Sequence, residues 1–277
     1  MISGKTILIA HLGYPTEAFK APMIYNPWFE QRGIDAVVVP MGVKSEDYPA
    51  ALAALATLTN LRGALVTMPH KVTTLALVDQ ATPTARIAGA CNAVLKRPDG
   101  SWLGDQFDGA GFVRGVERKG RRIAGSRVFV AGCGGVGSAI AASLAAGGAT
   151  AISLFDAHAA SADALRHRLL EHYPELAVRA GSHDPAGHDI VVNATPLGMK
   201  EGDALPFAIE RVDANALVGE VVMKDEHTPL LRAALARGLD VQVGSDMLFE
   251  MIPAYLEFLG FGTATADELR TVAQLRY

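Results

Sequence analysis

Two residues of opposite charge, Lys71 and Asp108, stand where proton transfer could be done. Lys71 closes the segment Thr67-Met68-Pro69-His70-Lys71, which follows the apolar run Gly63–Met68. That run reads as a strand. Pro69 has no N–H to give to a sheet, so it ends the ladder and leaves the lysine on a loop or helix start. Open α/β sheets hold their ligands at that C-terminal end of the strands. Asp108 lies in Gly104-Asp105-Gln106-Phe107-Asp108-Gly109-Ala110-Gly111-Phe112, a glycine-rich turn into a helix. An amine can exchange a proton with a substrate hydroxyl while a carboxylate orients it, which is typically worth about 10²–10⁴ in rate. Taken by themselves, the two residues read better as a solvated lysine and a helix-capping aspartate.

A second chemical signal is Gly132-Cys133-Gly134-Gly135-Val136-Gly137, set between the apolar run Val128–Ala131 and the small-residue stretch Ser138–Ala146. In G-x-G-x-x-G between strand and helix, the first glycine permits the tight turn and the second lets the backbone approach a pyrophosphate. The third lets helix and strand pack closely. The helix N-terminus then presents N–H groups and a partial positive charge to phosphate. Ile152–Phe155 reads as the next strand, and Asp156 ends it about 20 residues beyond the last glycine, where an acid accepts hydrogen bonds from both ribose hydroxyls. A 2′-phosphate would set about −1.5 to −2 charges beside that carboxylate. Ala157, His158, Ala159 and Ala160 offer no arginine to offset it, so NAD is expected over NADP.

Elements that could position these groups alternate along the chain. Thr6–Ala10, Ala36–Pro40 and Gly63–Met68 read as strands, with Pro27–Arg32 and Tyr48–Leu58 as helices between them. Gly33 stands where a helix would stop. Asn92–Trp102, with Pro98-Asp99-Gly100 at its centre, reads as a hairpin. A second series follows at Arg127–Ala131, Ala151–Phe155, Asp189–Asn193, Ala216–Val222 and Asp240–Val243, and Met247–Phe258 has a helical pattern. Alternation of this kind predicts α/β architecture with parallel sheets covered by helices. The expected division is residues 1–103, completed by 245–277, and a doubly wound, Rossmann-like unit over 104–244.

The totals agree with that reading. The chain has 277 residues, half of them hydrophobic, and a formal net charge of −4. A nucleic-acid binder would show clustered Lys and Arg. Val128–Phe155 carries no charge, yet its glycines favour a strand, a turn and a helix end over a membrane span. The two cysteines, Cys91 and Cys133, form no CxxC pair, and the N-terminal apolar run is too short for a secretory signal. These features lead to an expectation of a cytoplasmic protein, monomer or homodimer, with a small-molecule substrate and neither membrane nor nucleic-acid partner. Histidine spacing suggests no metal.

With these motifs in place, nearly the whole chain resembles the shikimate dehydrogenase family. Val66–Lys71 resembles its VT-x-P-x-K segment, Gly89–Ala93 its GA-x-NT segment, and Gly104–Phe112 its G-x-NTD-x-x-GF segment. Asn193-Ala194-Thr195-Pro196-Leu197-Gly198-Met199 matches NATP-x-GM. Thr228–Leu231 and Gly244–Leu248 resemble TPLL and G-x-x-ML. The resemblance implies reversible hydride transfer between NAD(P) and a ring carbinol of the shikimate or quinate type. It makes Lys71 the proton donor and acceptor, Asp108 the residue that positions it, and Asn92 and Thr67 the holders of neighbouring hydroxyls. It places Gly132, Gly134, Gly135, Val136, Gly137, Asp156, Asn193, Thr195, Pro196, Met199, Val221, Gly244 and Met247 on the cofactor side.

Departures from the family pattern fall on the substrate side. The two serines of GxPIxHSxSP that hold shikimate's carboxylate become Phe19 and Ala21, flanking Lys20. The family's NTD reads Gln106-Phe107-Asp108, its tyrosine before TPLL falls on Met223, and its glutamine after ML falls on Met251. Hydrogen bonds to a charged group contribute about 1.5–3 kcal/mol each, so losing two costs about 10²–10⁴ in binding. The expected substrate is therefore a relative of shikimate or quinate, or a less polar alicyclic alcohol or ketone. Shikimate itself stays open if Lys20 or backbone donors hold its carboxylate. A non-catalytic NAD-binding sensor is the alternative of a different class, against which the pairing of Lys71 with Asp108 argues.

Overall fold

A computed structural model describes residues 2–275, and they divide into two compact units. One runs from the N-terminus to Phe107 and resumes at Met251; the other is Asp108–Glu250. Among the described residues no helix is long and apolar enough to cross a membrane.

In the first unit the elements are β1 (Ile7–Gly13), α1 (Pro22–Arg32), β2 (Ala36–Gly42), α2 (Tyr48–Ala56), β3 (Leu61–Val66), α3 (Lys71–Leu77), β4 (Gln80–Ala81), α4 (Pro83–Ala88), β5 (Ala93–Lys96) and β6 (Trp102–Asp105). Its sheet has the order β2-β1-β3-β5-β6-β4. β1 pairs parallel with β2 and β3, and β5 forms an antiparallel pair with β6, the expected hairpin. β1 and β3 are central and almost wholly buried, which is why they read as continuous apolar runs.

Among the boundaries that differ from the sequence reading, the start of α1 and the end of β3 have local reasons. α1 opens at Pro22 instead of Pro27, because proline at the first helical turn sacrifices no hydrogen bond. Pro27 then lies inside the helix, and the Met23 carbonyl that it leaves free accepts the Gln274 N–H at 2.9 Å. Gly33 does cap α1, with φ 65°. β3 ends at Val66 instead of Met68. Thr67 gives its N–H to the Leu12 carbonyl as the last rung, and its own carbonyl accepts the His70 N–H, turning the chain.

The second unit contains α5 (Asp108–Arg118), β7 (Arg127–Ala131), α6 (Gly135–Ala146), β8 (Ala151–Phe155), α7 (Ala159–His172), β9 (Ala177–Ala180), β10 (Ile190–Asn193), β11 (Leu217–Glu220), α8 (Pro229–Ala236) and β12 (Asp240–Gln242). All the strands are parallel, in the order β12-β11-β10-β7-β8-β9. The order reverses at β7, and in a doubly wound sheet that switch point is where ligands bind, at the carboxyl ends of the strands. α9 (Gly244–Phe258) begins in this unit and ends in the first, where α10 (Ala266–Val272) also packs. α9 starts three residues before the apolar pattern at Met247, since Gly244 opens it. A Cβ there would lie 2.9 Å from the Val222 carbonyl carbon.

Candidate active site

In the first unit, polar side chains converge at the ends of β1 and β3. Lys71 opens α3 and is only 9% exposed. A polar framework fixes the backbone that carries it. His70 is buried, its Nε2 lies 2.8 Å from the Val43 carbonyl, and its ring stacks on Tyr48 at 3.9 Å. Tyr48 shares a 2.7 Å hydrogen bond with Thr74, whose hydroxyl donates to the His70 carbonyl at 2.8 Å. The Lys71 carbonyl accepts the Cys91 N–H at 2.8 Å, which ties the helix start to the turn that carries Asn92. Burial lowers the His70 pKa and pushes the Tyr48 hydroxyl up to about 12, so this framework is uncharged.

Asn92 is held by its backbone and one side of its amide. Its N–H donates to the Asp105 carbonyl at 3.0 Å, its carbonyl accepts from Val66 and the Tyr255 hydroxyl, and Oδ1 accepts the Phe107 N–H at 2.9 Å. Nδ2 is buried without a partner. Gly13 permits the close approach of the neighbouring segments, since a Cβ there would lie 2.8 Å from both the Phe19 ring and the Met68 carbonyl oxygen. Phe19 stacks on His11 with ring centroids 4.1 Å apart. Burial first, then the charge of Lys71, lowers the His11 pKa to about 3. Lys71, His11, Phe19, Thr67 and Asn92 thus form one neighbourhood. Lys20 and Ala21 form the turn into α1, and Met251 is half-buried on α9.

In the second unit the glycine loop has the shape that a pyrophosphate needs. Gly132 has φ 94°, a conformation that side chains disfavour, and a Cβ there would lie 2.6 Å from the Ala194 carbonyl carbon. A Cβ at Gly137 would collide with the Gly132 carbonyl, so glycine is required for α6 to start against the loop. Gly134 has open space above it. The first-turn N–H groups of Gly135, Val136 and Gly137 have no acceptor within their helix, which fits a dinucleotide's phosphates. Asp156 is fixed by the loop itself: Oδ2 accepts the Cys133 N–H at 2.7 Å and Oδ1 the His158 N–H at 2.8 Å.

Beyond β10, Asn193 organises the following loop. Its Oδ1 accepts from the Thr195 N–H at 3.0 Å and hydroxyl at 2.6 Å, and its Nδ2 donates to the Leu197 carbonyl at 3.1 Å. The Pro196 carbonyl accepts the Met199 N–H at 3.1 Å, and the Asn193 carbonyl accepts the Val221 N–H at 3.2 Å. Met247 is buried on α9. Asp108 is buried at the start of α5, where Gly109 lets that helix press on α6, a Cβ there lying 2.6 Å from the Ala139 carbonyl carbon.

Sequence reading passed over His11, the His70–Tyr48–Thr74 framework and Glu220. His11 and Glu220 carried a usable signal: each is a titratable residue inside an apolar run, in Ile-Leu-Ile-Ala-His and Leu-Val-Gly-Glu-Val-Val. The framework carried none, because it joins residues from α2 and α3. Both thiols are unreactive by environment. Burial pushes Cys91 and Cys133 up to about 12, with Asp105 and Asp156 adding to it.

Residues 12–94 match the family model for the shikimate dehydrogenase substrate binding domain. A shikimate dehydrogenase (NADP(+)) of Rubrobacter xylanophilus is 38% identical over 256 residues, 89% of this chain and 88% of that protein. Among solved structures, the shikimate 5-dehydrogenase of Listeria monocytogenes, in complex with shikimate and NAD, superposes with a TM-score of 0.88 at 26% identity. The match covers 98% of this chain and 97% of that one. The 5-ketofructose reductase of a Gluconobacter species gives 0.86 at 25% identity, covering 98% and 99%.

Proposed function

The chain belongs to the shikimate dehydrogenase family and is an NAD(P)-dependent oxidoreductase of the class acting on a CH–OH group; from that premise we propose that it interconverts a polyhydroxylated alicyclic alcohol and its ketone, with NAD as cofactor. The observation that carries this reading is the setting of Lys71, an amine at the head of a locked helix whose first carbonyl holds the turn carrying Asn92, a residue with a buried, unpartnered Nδ2. Lys71 donates a proton to the oxygen of the carbonyl being reduced, and in the other direction takes it from the hydroxyl. Asn92 Nδ2 donates to a neighbouring hydroxyl, and Thr67 supports the same ring. Phe19, Lys20, Ala21 and Met251 form the rest of the substrate wall. Asp108 enters the proton step on the strength of its motif. Bound nicotinamide dinucleotide supplies or accepts the hydride.

In this reading the N-terminal unit takes the substrate and Asp108–Glu250 takes the dinucleotide. Gly132, Gly134, Gly135, Val136 and Gly137 receive the pyrophosphate and Asp156 the adenosine ribose. Asn193, Thr195, Pro196, Met199, Val221, Gly244 and Met247 line the nicotinamide end. NAD is favoured because two backbone N–H groups hold Asp156 in place as a fixed anion. A 2′-phosphate beside it meets like charge, and one such pair a few ångströms apart weighs about 10- to 100-fold in binding. Two free, buried cysteines suit a reducing, cytoplasmic setting, and a monomer or homodimer suffices for the site as drawn.

Steady-state oxidation of shikimate and quinate with each cofactor tests the reading. Turnover with NAD at higher kcat/KM than with NADP is expected, and equal or better efficiency with NADP ends the NAD assignment. Asp156→Ala is expected to move the NAD-to-NADP ratio of kcat/KM toward NADP by about 10- to 100-fold. An unchanged ratio removes Asp156 from cofactor choice. A second reading, a less polar alicyclic alcohol or ketone as substrate, is favoured by Phe19 and Ala21 standing at the family's carboxylate-holding positions. The likeness to a reductase of a ketofructose agrees with this reading only in that a ketofructose bears no carboxylate.

A further inference from the structure

His11 has no role in the reading above, yet it is a buried polar group whose placement that reading leaves unexplained. It occupies a central strand, registered against Pro40 of β2 and Leu65 of β3, and is 7% exposed. Its Nδ1 is buried with no hydrogen-bond partner. A side chain serving only as core filling would have an apolar residue's shape without an unmet polar atom, which costs free energy to bury. The position is specific: Phe19 covers one face of the ring at 4.1 Å, and Lys71 lies close enough for its charge to be felt. Asn92, 1% exposed and tied through Cys91 to the Lys71 carbonyl, has a second unmatched atom, Nδ2. Two buried, unmet polar atoms, one within the field of Lys71 and one on the turn that its carbonyl holds, describe a site that completes its hydrogen bonds with a ligand.

We infer that His11 is a substrate-contacting, specificity-determining residue whose imidazole, backed by Phe19, hydrogen-bonds a hydroxyl of a polyhydroxylated substrate and favours a ring bearing no carboxylate at that place. This rests on the proposed substrate role of the N-terminal unit. The burial and the nearby ammonium that keep the imidazole neutral leave it one N–H donor and one lone pair, a match for a hydroxyl. Neutral imidazole, a phenyl ring and the Ala21 methyl offer a carboxylate no charge, which leaves Lys20 and Lys71 as the cations that the acid could meet. The side chains at positions 19 and 21 offer it no donor.

Shikimate and its methyl ester make the test, since they share ring hydroxyls and differ only at the carboxylate. Binding of each to wild type, His11→Leu and His11→Asn is measured by calorimetry with NAD present, alongside turnover and thermal unfolding. Wild type is expected to bind the ester at least as tightly as the acid. His11→Leu is expected to weaken ester binding by about 10- to 100-fold, with Tm unchanged or raised because an unmet polar atom has been removed. His11→Asn, which keeps a neutral donor and acceptor, recovers part of that loss. Acid bound more tightly than ester, His11→Leu without effect on affinity, a loss of affinity that merely follows a fall in Tm, or no binding of either compound each overturns the inference. Binding with the expected His11 dependence but no turnover upholds it while removing the dehydrogenase assignment for this substrate.

Discussion

Replacing Lys71 by alanine is expected to lower kcat by about 10²–10⁴, the usual worth of a positioned acid–base group, while affinity for NAD stays within about two-fold. The cofactor-binding residues proposed above lie in the other unit, Asp108–Glu250. The fold should also tolerate the change. Alanine is a strong helix former, and the Lys71 carbonyl, His70 and Thr74 carry hydrogen bonds at the head of α3 that the substitution leaves in place. The two histidines nearest in the framework are poor substitutes for the amine. His11 is neutral with a pKa of about 3 and His70 is held at Val43. Stopped-flow and steady-state NADH absorbance, with cofactor binding followed by fluorescence, checks both halves. A variant retaining more than a tenth of wild-type kcat would remove Lys71 from the proton step. Equal losses in turnover and NAD affinity would show disruption of the fold instead.

Much of the cofactor unit was legible because its signals are local. Gly132 to Gly137 must be glycine-rich for reasons that act within a few residues, and the strands before and after it were delimited residue for residue at Arg127–Ala131 and Ala151–Phe155. After Arg127 the first is buried and apolar and the second is largely apolar and at least half-buried, so pattern and packing agree. The substrate unit was less legible because its determinants are distant in sequence. His70 stacks on Tyr48 and caps Val43, across residues that propensity treats as separate. Asn92 was singled out only through a motif, while the reason for its placement lies in contacts with Val66, Phe107 and Tyr255. The short elements α3, α4, β4, β9 and α10 escaped the pattern reading because seven or fewer residues span too few turns or alternations for a period to emerge.

Glu220→Gln should turn a hidden pH dependence of stability into a measurable one. Glu220 ends β11, an interior strand paired with β10 and β12, and is fully buried, at 0% exposure. Burial raises its pKa from 4.5 to about 7, although hydrogen bonds from Thr228 and Asn193 favour the ionised form. The long Asn193 contact, 3.5 Å to Oε2, and an unpartnered Oε1 explain why those bonds fail to offset desolvation. In the unfolded chain the carboxyl ionises near its ordinary value of about 4.3. Between that pH and about 7 the native state therefore holds a proton that the unfolded state has released, and stability falls as pH rises. The contribution is intact below about pH 4.5 and lost by passage through about pH 7. At 1.36 kcal/mol per pH unit it totals about 3 kcal/mol. Glutamine stays neutral throughout and keeps the shape and an acceptor for Asn193. The variant should match wild type within about 1 kcal/mol at pH 4.5 and exceed it by about 3 kcal/mol at pH 8. Denaturant unfolding of both proteins at pH 4.5, 5.5, 7 and 8 gives the difference, in which titrations common to both cancel. A gap that does not change with pH would mean that Glu220 is ionised throughout that range. Because Asn193 also holds the Thr195–Leu197 loop, the ionisation reaches the segment assigned to the nicotinamide end. A rise in NAD affinity of wild type as pH falls from 8 to 6, absent from Glu220→Gln, is the functional counterpart of the same proton.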